Sequence, residues 1–119
     1  MTEETEYDAE EAKKNRLKTL AKQQRKFRLK RGIVFKEHQV CINDKLKSRI
    51  SIAAQAARSD SNLTFEWQFG NEWEKLTAEE VHQLESEVSD YIEACFERHK
   101  QLVDEIDAGE DVDFSKGWP

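Results

Sequence analysis

The chain has 119 residues, a mass of 14.0 kDa, a net charge of −6 and a mean hydropathy of −0.90. That length suits one domain, and no run of about 18 uncharged apolar residues exists to form a membrane span. The first twelve residues carry six acids and no base, unlike a secretory signal. Two cysteines, Cys41 and Cys95, are too few for a disulfide scaffold or a zinc module. Both are expected as buried small hydrophobes in a reducing compartment.

Charge falls in blocks. Residues 1–12 sum to −6, residues 13–31 to +10 with no acid, residues 32–58 to +3 and residues 59–119 to −13. Like charges within a block repel and favour a partner of opposite sign. Residues 1–31 contain no Gly or Pro and are rich in helix formers. Acids come first and bases last, which complements a helix dipole. Gly32 supplies the stop. Leu17, Leu20, Gln24 and Phe27 recur at three and four, a narrow apolar stripe. The segment therefore reads as a charged helical arm, ordered where it docks. Its ten bases could neutralise phosphates, but no nucleic-acid-binding pattern accompanies them. Docking on an acidic protein surface, in the same chain or a neighbouring copy, is the stronger reading.

Ile33-Val34-Phe35 and Val40-Cys41-Ile42 are β-prone runs around a polar centre, which predicts a small hairpin. Asn43 or Asp44 can cap a helix with Leu46, Ile50, Ala53, Ala54 and Ala57 on one face. After the polar turn Arg58–Asn62, Phe65, Trp67 and Phe69 alternate with polar residues, as in a half-buried strand. Gly70-Asn71 turns the chain, and Trp73 and Lys75 begin the return. The aromatic group could serve as a carbohydrate or base-stacking platform, but core packing is the stronger reading.

Thr77-Ala78-Glu79-Glu80 fits a capping box. Beyond it, apolar residues from Val81 to Ile106 recur at three and four. This predicts an amphipathic helix of about 30 residues, roughly 45 Å long. A helix that long is expected to project from the domain or to pack against copies of itself. Trp118 is expected to fold back onto the core. The core is expected to hold Phe35, Ile50, Phe65, Trp67, Phe69, Trp73, Leu84, Val88, Ile92, Phe96, Leu102 and Trp118.

Catalytic constellations are missing from the pattern. His38, His82 and His99 are scattered, and the four glycines form no phosphate loop. Cys95 and His99 share a helix face, formally a nucleophile pair, but a core position beside a polar neighbour is the simpler reading. No enzymatic activity, cofactor or metal is expected.

Several motifs occur in a familiar order. They are Gly32-Ile33-Val34-Phe35, then Asn43-Asp44 with Ser48-Arg49-Ile50, Ala53-Ala54 and Ala57, then Phe65-Glu66-Trp67 and Asn71. Leu76-Thr77-Ala78-Glu79-Glu80, Cys95-Phe96-Glu97-Arg98-His99 and Gly117-Trp118-Pro119 complete the series. On these, residues 32–119 resemble an uncharacterised domain family of tail-fibre-associated proteins from tailed phages and prophages. Residues 1–31 lie outside that pattern. The resemblance implies a place in a phage tail apparatus and supplies no catalytic residues.

The expected fold is α+β: small antiparallel hairpins packed with two helices, one a long C-terminal amphipathic helix, preceded by the charged helical arm. The expected division is an arm at 1–31 and a compact domain at 32–119. The leading functional expectation is a structural component of the tail or tail fibre, located in the virion and in the host cytoplasm during assembly. It would dock to other tail proteins through Lys13, Lys14, Arg16, Leu17, Leu20, Arg25, Phe27, Arg28, Lys30 and Arg31. A homo-oligomer within the assembly is expected, and no membrane association. Deleting residues 1–31 should then leave a folded domain that fails to assemble. The alternatives are a fibre-assembly chaperone absent from the virion and a nucleic-acid-binding protein using the basic arm.

Overall fold

The computed structural model describes the backbone of residues 2–119 and the side chains of residues 8–119. The acids Glu3, Glu4 and Glu6 therefore lie outside the described side chains. The element order is α1 (Thr2–Arg31), β1 (Ile33–Phe35), β2 (His38–Val40), α2 (Asp44–Ser59), β3 (Thr64–Phe69), β4 (Glu72–Thr77) and α3 (Ala78–Asp107). This is the expected α+β class, with three helices, two antiparallel hairpins and a long C-terminal helix. The chain forms two compact units, one of residues up to Arg28 with Ala94–Pro119, the other Leu29–Glu93.

The Leu29–Glu93 unit is built from both hairpins, α2 and the first half of α3. Gly32 ends α1 with φ +73°. That left-handed conformation favours glycine, and an added Cβ would overlap the Val40 carbonyl oxygen. The first hairpin pairs Ile33 with Val40 and Phe35 with His38 around a tight Lys36-Glu37 turn. Its second strand is thus His38–Val40, not the apolar run Val40–Ile42. The two-residue turn sets the return strand early and leaves Cys41 outside it. Cys41 is exposed, contrary to expectation, while Cys95 is buried. Ile42 turns inward, and its N–H donates to the Leu29 carbonyl at 3.2 Å.

Asn43 caps α2, its side-chain oxygen accepting from the Leu46 N–H at 2.8 Å. Ile50, Ala53, Ala54 and Ala57 are buried on the predicted face. In the second hairpin, Phe65, Trp67 and Phe69 pair with Leu76, Glu74 and Glu72. Cross-strand partners share a face, so Trp67, Phe69 and Leu76 turn inward and Phe65 is partly buried. Trp73 pairs with Gln68 on the opposite face and is 62% exposed. The expectation of Trp73 in the core is overturned by this register. The core joins these aromatics to Phe35, Val40, Ile50, Val81, Leu84 and Val88, with Ile92 packed against it. His38 ties the two hairpins together. Its ring stacks on Phe69 at 4.3 Å, and its Nε2 lies 2.9 Å from Glu74 Oε2.

The capping box forms as predicted. Thr77 Oγ1 accepts from the Glu80 N–H at 3.1 Å, and Glu80 Oε1 accepts from the Thr77 N–H at 3.0 Å. Lys36 Nζ also meets Glu80 at 2.5 Å. The Lys36 ammonium and then the Thr77 N–H hold the Glu80 carboxyl below the usual carboxylate range. Thr77→Ala removes one half of the box, so stability should fall by about 1 kcal/mol in a urea titration.

The other unit packs residues of α1 and the second half of α3 with the C-terminal segment. Ala21, Leu102 and Ile106 are buried, with Leu17, Val112, Phe114 and Trp118 against them. Trp118 folds back as expected, its Nε1 donating to the Phe114 carbonyl at 2.8 Å. Arg98 pins the same segment by donating to the Lys116 carbonyl at 2.8 Å and the Asp113 carbonyl at 3.4 Å. Phe96 is 45% exposed rather than buried. The inward stripe of α3 runs through Cys95 to Leu102, and Phe96 lies one position off it. The stripe at 81, 84, 88, 95, 102 and 106 is thus covered within the chain in both units. No helix among the described residues is long and apolar enough to cross a membrane.

Candidate protein-docking surface

Eight of the ten residues expected to dock divide between two faces of α1. On the inner face, Leu17 packs against Leu102 and Ile106 beside the fully buried Ala21. Lys14 Nζ donates to the Asp107 carbonyl at 3.3 Å. Lys18 Nζ lies 2.6 Å from Asp107 Oδ1 and holds that carboxyl below its ordinary range. The Arg25 guanidinium lies 4.3 Å from the centre of the Phe96 ring, and Arg28 sits 5.9 Å from that of Trp118. Lys14, Leu17, Arg25 and Arg28 are therefore all engaged within this unit.

The outer face keeps Lys13, Arg16, Leu20 and Phe27 exposed, at spacings of three, four and seven. Leu20 is 46% exposed and Phe27 53%. Asn15, Arg16, Thr19, Leu20 and Gln23 line a shallow groove there. Lys30 and Arg31 are exposed too, in the Leu29–Glu93 unit, where the Arg31 carbonyl accepts from the Gln39 side chain. The expected apolar stripe is thus split. Leu17 faces in with Ala21, whereas Leu20 and Phe27 face out. Truncating the arm would uncover Leu102 and Ile106, so the deletion expected to leave a folded domain would disturb folding instead. Ala21 and Lys18, absent from the ten residues expected to dock, also lie on the 14–17–18–21–25–28 face. Their signal is that spacing, with long basic side chains lying along apolar neighbours.

His99 is drawn into the inner face. Arg25 Nη1 donates to its Nδ1 at 3.0 Å. Arginine only donates, so Nδ1 keeps its lone pair and the ring is neutral. Burial, then the charges of Arg25 and Lys22, push the His99 pKa below 6.5. Below that value the unfolded chain takes up a proton that the folded chain resists. The His99 contribution should be fully present above pH 6.5 and fall as the pH drops toward the depressed folded value. Thermal melts across pH 5 to 7.5 should show this slope in the wild type, and His99→Gln should flatten it. Cys95, beside His99 in the helix, is fully buried. Among the described residues, no group of three or more His, Cys, Asp and Glu is placed to hold a metal ion.

Residues 8–116 match the family described as Domain of unknown function (DUF4376). The chain belongs to this family. No curated protein and no solved structure matches the chain. The DUF4376 match begins at residue 8, whereas the resemblance read from the motifs began at Gly32. Most of α1 is therefore part of the DUF4376 pattern, in keeping with the burial of Ala21.

Proposed function

We propose that this DUF4376 chain is a non-enzymatic structural component of a tailed-phage tail or tail-fibre apparatus, docking to neighbouring tail proteins through the outer face of α1. The observation that carries the reading is that face. It leaves Leu20 and Phe27 in solvent among Lys13 and Arg16, while the inner face is satisfied within the chain. Exposed large apolar residues rimmed by charge mark protein contact surfaces. The resemblance of residues 32–119 to tail-fibre-associated domains supplies the setting. Nucleic acid is the weaker partner, because Lys14 and Lys18 are committed to Asp107, and Arg25 and Arg28 to aromatic rings and His99.

The test is a double substitution, Leu20→Asp with Phe27→Ser, supplied to a phage lacking the wild-type gene. Both side chains are exposed, so the thermal melt should shift little. Incorporation into particles should fall at least about tenfold, the effect of losing two central contacts. Normal incorporation of the folded variant would overturn the reading. A variant that loses a soluble complex with a fibre protein, where no wild-type chain is found in particles, would favour the assembly chaperone.

A further inference from the structure

The outer face of α1 has a counterpart in the same sequence. From Glu79 to Glu93, α3 carries six acids and no Lys or Arg. Glu80 and Glu85 are paired to Lys36 and Arg58. Glu79, Asp90 and Glu93 are exposed and make no ion pair among the described residues. They share one face of α3 with Gln83 and Ser86, at spacings of four, three, four and three.

The two faces match in an antiparallel register. Lys13 falls opposite Glu93, Arg16 opposite Asp90, Leu20 opposite Ser86, Gln23 opposite Gln83, and Phe27 opposite Glu79. Lys26, beside Phe27, is exposed and lies within reach of the same Glu79. Both sets of five positions span fourteen steps, so the pairs stay in step over about 21 Å of helix. The small Ser86 leaves room for Leu20 between the charge pairs. A parallel arrangement would keep one charge pair, Lys13 with Glu79, but set Arg16 against Gln83, and its spacings of three and four fall out of step.

We propose that the outer face of α1 takes the acidic face of α3 from a second copy of this chain, so that copies associate head to tail. This rests on the docking reading, because it assigns an occupant to the same α1 surface. The contact is heterologous, since each copy offers α1 to one neighbour and α3 to another. Such contacts close into rings or extend into filaments, according to the rotation between copies. The charge pairs lie at the surface, so they set register and partner choice, and salt weakens them.

Two charge-reversed chains test this. One carries Lys13→Glu and Arg16→Glu, the other Asp90→Lys and Glu93→Lys. All four side chains are exposed, and thermal melts confirm that each chain folds. Sedimentation of the wild type at low salt should show concentration-dependent association, weakened at least about tenfold between 50 and 300 mM salt. Each reversed chain alone should be monomeric. An equimolar mixture should associate again, because the intact α1 face meets the intact α3 face and the two reversed faces complement each other in the same register. A wild type that stays monomeric at low salt would overturn the proposal, as would a mixture that stays monomeric while the wild type associates. A monomeric wild type whose Leu20→Asp, Phe27→Ser variant still drops out of particles would overturn self-pairing and leave the docking reading standing.

Discussion

Replacing Gly32 with alanine should cost more than about 3 kcal/mol, the range reserved for backbone conflicts that cannot relax cheaply. Gly32 sits at φ +73°, where an L side chain is already strained by about 1–2 kcal/mol. The larger part comes from the overlap of the new Cβ with the Val40 carbonyl and its approach to Cys41 Cα at 3.1 Å. Both obstacles are backbone, so the first hairpin must shift. That shift would strain the Ile33–Val40 pair and the hydrogen bond from Ile42 to Leu29. Gly70→Ala is the control. Gly70 also has a positive φ, of +60°, but nothing lies near its added Cβ, so only the conformational strain of about 1–2 kcal/mol applies. Urea midpoints should separate the two variants clearly. Equal losses would mean that the close approach of Gly32 to β2 does not hold in solution.

Ala21→Glu should be the most damaging change in α1, again above about 3 kcal/mol, because it places an unpaired charge in a dry site. Ala21 has no exposed surface and packs with Leu102 and Ile106. Its neighbour in sequence, Leu20, points outward, so Leu20→Glu should change stability by no more than about 0.5 kcal/mol. Hydrogen exchange reports the difference locally. Amides of Ala94–Asp107 should lose protection in Ala21→Glu and keep it in Leu20→Glu. A reversed order would mean that the helix is docked through the Leu20 and Phe27 face, and the outer surface would cease to be available for partners.

Much of the fold was legible because its signals are local. The capping box at Thr77–Glu80, the Asn43 cap, the Ala face of α2 and the stop at Gly32 each follow from a few adjacent residues. The aromatic strand was legible from its alternation, and Trp67 and Phe69 are buried. Trp73 lies outside the core because the two-residue Gly70-Asn71 turn puts the inward positions of β4 at even numbers, opposite to those of β3. That turn pairs Trp73 with Gln68 and sends it outward. Cys41 is exposed despite its apolar neighbours, because the tight turn at Lys36-Glu37 ends the pairing at Val40.

The packing of α1 was less legible. A stripe of Leu17, Leu20, Gln24 and Phe27 is the natural choice when only apolar residues are weighed. The helix instead buries the side where Lys14, Lys18, Arg25 and Arg28 find a carboxylate, a carbonyl, a histidine and two aromatic rings. Those partners lie more than seventy residues away in sequence and cannot be read from α1 itself. The same distance explains why His99 reads as a bystander in sequence and as a neutral acceptor in the structure.

The proposed role as a tail component is tested most directly by quantitative mass spectrometry of purified particles against the lysate that produced them. The expected result is a stoichiometric presence in particles, in a fixed ratio to a known tail protein. A ratio that reflects ring or fibre symmetry would suit copies joined head to tail. Presence in the lysate with absence from purified particles would contradict a structural role.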